Sequence, residues 1–256
     1  MQQLEYKGTV IKECFFERKN INKFEAIFTQ GNGYLGIRNA LEEHYVGEIR
    51  DTFITGTFNK ASEEEVTELP NIADVSAVKI VVDGEEFSLT EGKLSSYERS
   101  LDLTTGESTR TIKWESPKGI KLNLVFRRFV SLDNEHIFVQ KIELLCDQDA
   151  NIIIESGIDG SVTNSGTMHF EDIQRRVFEG KYMDYIAKTT QSHVKVIQGA
   201  VCCLNKEAAV IPVMGRRTLA NRYSLKVNAN EKLEFEKKSI FFSERDKELT
   251  HLEEEN

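Results

Sequence analysis

The apolar residues of this chain recur mostly at every second position, and this period constrains its fold more than any other feature. The segment 120–124 alternates strictly between apolar and polar residues, and the β-branched run 77–82 ends at an Asp-Gly pair. Alternation of this kind is typical of β-strands, whereas an amphipathic helix repeats near every 3.6 residues. No long amphipathic helical pattern separates these segments, and the short polar turns between them favour antiparallel pairing. The sequence therefore predicts an all-β protein in which two large antiparallel sheets pack face to face.

Turn sequences predict which neighbouring strands form hairpins. Asp83-Gly84 and the Ser-Pro-Lys-Gly turn at 116–119 each lie between two strand-like runs, and both have the residues that tight turns favour. Near the end of the chain, Asn-Ala-Asn at 228–230 predicts a third hairpin, between 223–227 and 233–242. Most strands in such a protein can lie inside a sheet, because the chain has only three prolines.

Two further details of the strands can be predicted. The alternation changes phase near Arg127-Arg128, just before Phe129-Val130, which indicates a β-bulge. Trp114 alternates with polar residues in a predicted strand, so we expect its side chain in the core rather than stacked on a sugar ring.

Charge and composition exclude several classes of protein. The chain has 256 residues and a net charge of −9, with acidic and basic residues interspersed, so we expect no nucleic-acid partner. No run of 18 apolar residues occurs, and the polar N-terminus has no signal-peptide core, so we expect no membrane partner. The four cysteines lack zinc-ligand spacing, and Cys202-Cys203 would point to opposite faces of a strand. Reduced cysteines of this kind are typical of a cytoplasmic protein.

The segment Gly31–Gly36 matches the G-x-G-x-x-G pattern of dinucleotide-binding folds. That pattern works because a helix follows the glycines and its N-terminus holds the pyrophosphate. Residues 37–43 have the length of a short helix, but no strand–helix–strand repeat follows them. Asn32-Gly33 is therefore better interpreted as a tight turn between two strands.

One group of titratable residues keeps a second class of function open. A β-sandwich sugar epimerase needs a histidine acid and a carboxylate base on one concave sheet. His169 lies close in sequence to Glu171 and Asp172, in a polar stretch whose simpler interpretation is an exposed loop. An independent carbohydrate-binding or aldose-epimerase-like β-sandwich is thus the alternative function.

Several stretches of the chain, taken in order, resemble glycoside hydrolase family 65. Residues 157–170 are the most specific and look most like the maltose phosphorylase branch, which has kojibiose and trehalose phosphorylases as relatives. The resemblance runs from about residue 10 to Arg245 and departs from the family at Asn39, where glycine is frequent. The other stretches that carry it are 25–38, 53–58, 68–71, 101–106 and 128–132.

The resemblance implies an architecture and a division of labour. Members of this family carry an N-terminal super-β-sandwich of the galactose-mutarotase-like kind, a helical linker, an (α/α)6-barrel catalytic domain and a small C-terminal sheet. Residues 1–245 are then expected to form the sandwich, and 246–256 to begin the linker helix. The general acid and the phosphate-binding residues of the family lie in the barrel. The resemblance therefore implies no catalytic residue, metal or cofactor in this chain, and inorganic phosphate as a co-substrate of the full enzyme.

The expected role is that of the non-catalytic N-terminal domain of an inverting disaccharide phosphorylase, with maltose as the expected substrate. Its expected partners are its own catalytic domain and a second copy in a homodimer. Five residues lie in the turns that carry the family motifs, and we expect one or more of these turns to face the barrel, because a sandwich does not need polar turns this rich. These candidates are Asn32, Gly33, Arg38, Asp159 and Asn164.

Overall fold

The computed structural model describes residues 2–246, and within them the chain is almost entirely β-structure. One α-helix, α1 (Ile21–Ile27), follows a single 3-10 turn at Arg18–Asn20. The strands are β1 (Leu4–Lys7), β2 (Val10–Glu13), β3 (Gln30–Gly31), β4 (Leu35–Ile37), β5 (Thr52–Ile54), β6 (Val78–Val82), β7 (Glu85–Glu86), β8 (Lys93–Asp102), β9 (Ser108–Glu115), β10 (Lys121–Val130), β11 (Ile137–Cys146), β12 (Ala150–Asp159), β13 (Phe170–Phe178), β14 (Tyr182–Thr189), β15 (Lys195–Leu204), β16 (Ala209–Met214), β17 (Thr218–Val227) and β18 (Leu233–Ser243).

Two large sheets and one small sheet account for all of these strands. The ten-stranded sheet has the order β1-β2-β8-β9-β10-β11-β18-β15-β14-β13, and the five-stranded sheet has the order β16-β17-β12-β6-β7. The inward side chains of both large sheets belong to one hydrophobic core, so the sheets form a sandwich. The small sheet, β3-β4-β5, lies at one end of it. The predicted all-β antiparallel sandwich is confirmed.

The predicted hairpin at 228–230 is wrong, because the two strands that flank this turn lie in different sheets. β17 pairs with β12 and β16, whereas β18 pairs with β11 and β15. The inward rings of Tyr223 and Phe235 meet across the core with their centroids 6.1 Å apart. Pairing these strands side by side would remove that contact, so residues 228–232 cross from one sheet to the other. Residues 147–149 make a similar crossing from β11 to β12.

The predicted bulge at Arg127-Arg128 is also wrong. β10 pairs with β9 and β11 without any shift of register, and its side chains alternate inward and outward along its whole length. Arg128 occupies an inward position and is only 3% exposed. Because arginine counts as a polar residue in the sequence pattern, its inward position looked like a shift in the alternation of apolar and polar residues. Register shifts lie instead in β8, between Leu94 and Ser96, and in β13, between Asp172 and Gln174.

Other predictions about the strands are confirmed. Asp83 and Gly84, with φ of 44° and 83°, join β6 to β7, and Gly119, with φ of 87°, lies in the turn between β9 and β10. Trp114 is buried, and Cys202 is buried while Cys203 is exposed. The apolar residues before the glycine motif form α1, which the sequence did not predict. Within the described residues no helix is long and apolar enough to cross a membrane.

The sandwich has two ends that differ in their connections. We call the end where the described chain finishes the Asp246 end; it carries the turns 103–107, 131–136, 160–169 and 190–194 and the small sheet. The opposite end, called the Asp83 end, carries the turns 83–84, 116–120, 147–149, 205–208 and 228–232. The predicted linker helix, 246–256, lies outside the described residues from position 247 onward.

Candidate functional site

The polar residues singled out by the sequence lie at or near the Asp246 end of the sandwich. Asn32 and Gly33 form the turn between β3 and β4. Asp159 is the last residue of β12, and Asn164 lies in the loop 160–169 that follows it. Arg38 follows β4, and its backbone N–H donates to the Asp51 carbonyl, 2.8 Å away. The fold thus brings together residues that are more than a hundred positions apart in sequence.

The turn at Asn32-Gly33 is held by the Asn32 side chain. Its Oδ1 accepts hydrogen bonds from the backbone N–H groups of Tyr34 and Leu35, at 3.0 and 2.8 Å. Its Nδ2 donates to the carbonyls of Ser131 and Glu135, at 2.7 and 2.9 Å, which fixes the small sheet to the 131–136 turn. Gly33 has φ of 95°, a conformation that side chains disfavour. Residues 38–46 after this motif contain no helix, so the glycines do not precede the helix that a dinucleotide-binding motif uses.

Tyr34 connects this turn to the place where the described chain finishes. Its hydroxyl donates to Asp246 Oδ2 at 2.6 Å. Its ring meets the edge of His136 at 4.6 Å, and His136 stacks on Phe242 at 4.3 Å. Burial, together with the Asp246 carboxylate, raises the pKa of the Tyr34 phenol, so the phenol stays protonated and remains a donor. The described chain therefore finishes beside the small sheet.

Arg38 is bound within its own domain. One guanidinium nitrogen donates to the Asn22 carbonyl at 2.8 Å, and Nε lies 3.6 Å from Glu25 Oε2. These contacts hold α1 against the start of the irregular segment 38–77. Burial raises the pKa of Glu25, and the Arg38 charge opposes that rise. Arg38 therefore stabilises the packing of α1 within this domain, and its guanidinium contacts lie inside the domain.

Asp159 and Asn164 shape the loop 160–169. Asp159 Oδ1 accepts from the N–H and hydroxyl of Ser161, at 2.8 and 2.5 Å, which closes a turn at the end of β12. Asn164 Oδ1 accepts from the Asn71 N–H at 2.6 Å, and its Nδ2 donates to the Leu69 carbonyl at 3.0 Å. The predicted turn at Asp159-Gly160 is therefore present. Both candidate side chains are occupied in fixing this loop to its neighbours.

A groove opens between this loop and the irregular segment. We call it the Asp51 groove; its volume is about 580 Å³, and it is lined by residues 48–51, Phe53, Glu68, Asn71 and 162–165. The Asp51 carboxylate is half-buried in this groove and accepts one long hydrogen bond, 3.3 Å, from Asn71 Nδ2. Burial raises the pKa of Asp51, and the Arg38 charge opposes the rise from beyond ion-pair distance. No ion pair within 4.0 Å involves Asp51 in residues 2–246.

His169 is buried on the edge of this region, not exposed in a loop. Its Nε2 lies 2.7 Å from Glu68 Oε1, and its Nδ1 lies 3.0 Å from Asn59 Nδ2. Asn59 Oδ1 accepts from the N–H groups of Gln191 and Ser192, which fixes the orientation of the amide. Asn59 Nδ2 must therefore donate to Nδ1, so the histidine proton is on Nε2 and points to Glu68.

The acid–base pair that an epimerase would need is not assembled around His169. Glu171 lies 3.7 Å from Lys188, and Asp172 pairs with Arg217 at 2.8 Å and accepts from the Tyr185 hydroxyl at 2.5 Å. Neither carboxylate is a hydrogen-bond partner of His169. The His169 contacts instead attach the loop around Glu68 to the turn after β14, a structural role that sequence proximity did not reveal.

A buried ionic network holds the irregular segment in place, and sequence reasoning missed it. Arg110 pairs with Glu42 and Glu43, at 2.6 and 2.5 Å, and all three side chains are buried. Arg128 binds the Asn39 side chain and donates to the Ala40 carbonyl at 2.7 Å. These arginines project from the inner face of β9 and β10, where irregular backbone covers the ten-stranded sheet. Buried carbonyls without hydrogen bonds would be costly there, and long basic side chains from the sheet satisfy them.

Inward polar side chains also bind carbonyls of the irregular segment from the next three strands of the sheet. Gln140, Lys237 and Gln198 project inward from β11, β18 and β15 and donate to the carbonyls of Ser76, Val75 and Ala73, at 2.9, 2.6 and 2.7 Å. Burial lowers the pKa of Lys237, whose direct partners are neutral oxygens. Because polar residues at inward strand positions break the apolar alternation, such breaks are the one sequence signal that marks this arrangement.

Large apolar side chains are exposed at the Asp246 end, where the turns above leave them uncovered. Val66 and Leu132 are 81% and 80% exposed. The others are Ile49, Phe58 and Leu103. At the Asp83 end the described turns expose charged and polar residues. Other exposed large apolar side chains lie elsewhere in the described chain: Tyr6, Val46, Ile173, Phe178, Val210, Ile211, Met214 and Ile240. An exposed group of apolar side chains of this kind is typical of a surface that another protein segment covers.

Comparison with known proteins agrees with these features. The family model described as Glycosyl hydrolase family 65, N-terminal domain, matches residues 11–256. Kojibiose phosphorylase of Halothermothrix orenii is 40% identical over 251 residues, which cover 96% of this chain and 32% of that protein. Kojibiose phosphorylase of Escherichia coli is 31% identical over 233 residues, covering 90% of this chain and 30% of that protein.

A solved structure supports the same fold. It is titled "Putative kojibiose phosphorylase from human microbiome", and it superposes with a TM-score of 0.87 at 20% identity over 98% of this chain and 36% of that chain. This chain thus spans about a third of the length of the curated relatives it matches. The chain belongs to glycosyl hydrolase family 65 and is similar to the N-terminal domain of that family's phosphorylases.

Proposed function

We propose that this chain is the non-catalytic N-terminal domain of an inverting disaccharide phosphorylase, and that its Asp246 end docks on the catalytic domain. The observation that carries the proposal is that the exposed side chains of Ile49, Phe58, Val66, Leu103 and Leu132 lie at that end together with the Asp51 groove. The relatives are about three times as long as this chain, which leaves room for a catalytic domain of the size the family requires.

The contacts of the polar groups in the family motifs and in the buried network support a structural role at this end. Asn32, Asp159 and Asn164 hold turns, and the Glu42, Glu43 and Asp74 carboxylates pair with arginines inside the sandwich. A general acid must reach a substrate from a cleft with its proton available. All three carboxylates are buried against arginines, and those arginines lower the pKa of Glu42 and Asp74, so they do not suit that task.

The substrate of the complete protein is a finer proposal. The Halothermothrix orenii and Escherichia coli relatives are kojibiose phosphorylases, so kojibiose is the first disaccharide to assay. Maltose, which the sequence of 157–170 favours, and trehalose are the next candidates. We propose that the complete protein takes a disaccharide of glucose with an α-glucosidic bond and cleaves it with inorganic phosphate.

A chimera tests the docking role directly. This chain would replace the matching N-terminal third of the Halothermothrix orenii kojibiose phosphorylase, and phosphate-dependent release of sugar phosphate from kojibiose would be measured. We expect an active, monodisperse chimera, an inactive isolated chain, and an inactive or insoluble relative when its N-terminal third is removed. Release of sugar phosphate by the isolated chain would overturn the proposal. Full activity of the truncated relative would overturn it as well, because no docked domain would then be needed.

A further inference from the structure

We propose that the Asp51 groove receives a basic side chain, a guanidinium or ammonium group flanked by apolar residues, from the catalytic domain that docks at the Asp246 end. The inference rests on the proposed function and goes further, because it names the chemistry of the partner and the residue that binds it. Three properties of the groove carry it: its shape, its charge and the absence of a counter-charge for Asp51 within residues 2–246.

The shape of the groove suits an inserted side chain. Its walls come from the irregular segment and from the loop 160–169, and both are fixed by hydrogen bonds such as those of Asn71 and Asn164. Ile49, Phe53 and Val162 give it apolar walls, while Asp51 and Glu68 place carboxylates in it. A long basic side chain fits such a surface, because its methylene groups pack on apolar walls while its charged end reaches a carboxylate.

The charge of the groove favours a cation from outside. Arg50, the basic residue that lines it, has its guanidinium fully engaged with Glu48, Asp74, Ser76 and backbone carbonyls. Glu68 accepts a hydrogen bond from His169 Nε2–H while His169 Nδ1 accepts one from Asn59, so this contact does not balance the negative charge of Glu68. The face presented to a partner is therefore acidic, and a basic partner is complementary to it.

The energetics of Asp51 point the same way. Half-burial without a paired cation raises the pKa of its carboxyl, so ionised Asp51 is less stable in the folded chain than in the unfolded chain. A cation placed against it would reverse this effect. Asp51 is thus a residue that costs stability in the isolated domain and contributes stability after docking.

The test is whether the contribution of Asp51 to stability is unfavourable in the isolated chain and favourable in the docked protein. In the isolated chain, Asp51→Asn keeps the acceptor for Asn71 and removes the charge, so the melting temperature should stay the same or rise. In the chimera described above, the same change should lower the melting temperature by about 3 °C or more, because a partner cation loses its counter-charge. The melting temperature of the unmodified chimera should fall with added salt, and that dependence should weaken in the variant. Glu207→Gln, an exposed carboxylate at the Asp83 end, is the control and should change neither protein.

The outcomes separate this inference from the proposed function. If the unmodified chimera is active but Asp51→Asn leaves its melting temperature and salt dependence unchanged, the inference is wrong and the docking role stands. If the unmodified chimera neither assembles nor cleaves kojibiose, the docking role itself fails. A dimer of the isolated chain that Asp51→Asn dissociates would also overturn the inference, because the occupant would then be a second copy.

Discussion

The two ends of the sandwich are built by different physical means. At the Asp83 end, connections of two to five residues join adjacent strands or cross between sheets, and neighbouring connections bind one another, as when the Asn151 N–H donates to Asp83 Oδ1. At the Asp246 end, the irregular segment 38–77 lies on the inner face of the ten-stranded sheet and depends on buried charged side chains from distant strands. The comparison teaches that short surface connections are closed by neighbouring turns, whereas irregular backbone on the inner face of a sheet needs buried polar and charged partners. It also separates the end that only closes the fold from the end that we propose to dock.

The largest effect should follow from removing Arg110. Arg110→Ala leaves Glu43 buried without its cation and leaves Glu42 with the more distant Arg128, 3.6 Å away, and breaking a buried pair typically costs about 3–5 kcal/mol. Chemical denaturation should show the loss, and hydrogen exchange should show faster exchange in 39–50 than at the Asp83 end. Arg127→Ala, which removes a partly exposed pair with Glu143 on the outer face, is the control and should cost about 1 kcal/mol or less. Equal losses in the two variants would contradict the importance of the buried pairs on the inner face.

Acid should weaken the Asp246 end before the Asp83 end. Burial alone would raise the pKa of Glu42 and Asp74, but Arg110 and Arg128 around Glu42, and Arg50 beside Asp74, hold both values below the ordinary ones. A lowered pKa in the folded state stabilises above the unfolded pKa, and this stability is lost as pH falls through the folded pKa. Hydrogen-exchange protection, which compares the measured rate with the intrinsic rate at each pH, should therefore fall first in 39–50 and 71–77 between pH 7 and pH 3. A loss of protection that begins at the turns 83–84 and 116–120 would argue against this order.

A matched pair of glycine substitutions should separate the ends by packing. A Cβ on Gly160 would lie 2.2 Å from the Tyr185 hydroxyl, which is held by Asp172 and Arg217, so Gly160→Ala should cost about 3 kcal/mol. Gly119→Ala at the Asp83 end meets no atom within 4 Å and only its positive φ opposes it, so about 1 kcal/mol is expected. Melting temperatures of the two variants measure the difference. A loss for Gly160→Ala no larger than that for Gly119→Ala would show that the loop 160–169 can shift to accommodate the added methyl group.

The smallest effect concerns turn side chains. Asn32→Ala removes four hydrogen bonds that fix the small sheet to the 131–136 turn, and we expect a loss of about 2 kcal/mol. Asn151→Ala removes a single exposed side-chain bond to Asp83, so about 0.5 kcal/mol is expected. Urea denaturation of both variants measures the two losses in the free energy of unfolding. Similar values would indicate that the Asn32 contacts are largely replaced by water.

The predictions that failed were those about how strands meet over long distances. The turn 228–230 has the residues of a hairpin, yet its two strands are separated because each buries its apolar face against the other sheet. A local turn sequence favours a change of direction but does not determine whether the chain stays in its sheet. Arg128 likewise changed the apparent phase of β10, because a sequence pattern counts a buried arginine as exposed.

The candidate residues also differ in whether local sequence or tertiary contacts determined their positions. Sequence motifs located Asn32, Gly33, Asp159 and Asn164 in turns, and the structure places those turns at one end. Nothing in the sequence set Asp51 apart from other acidic residues, since its position in a groove depends on loops that are about a hundred residues apart. Asn39, at the position where the family often has glycine, is buried and binds Arg128, so it belongs to the same network.

By itself the sequence determined the β-architecture, most strands, the tight turns at Asp83-Gly84 and Asn32-Gly33, and the family. These follow from side-chain periodicity and from backbone preferences, which act between residues close in the chain. The tertiary structure alone decided which sheet each strand joins, which charges are buried in pairs, and which end exposes apolar side chains and Asp51. Those features depend on which surfaces pack together, and desolvation and pairing energies exist only once distant residues are in contact.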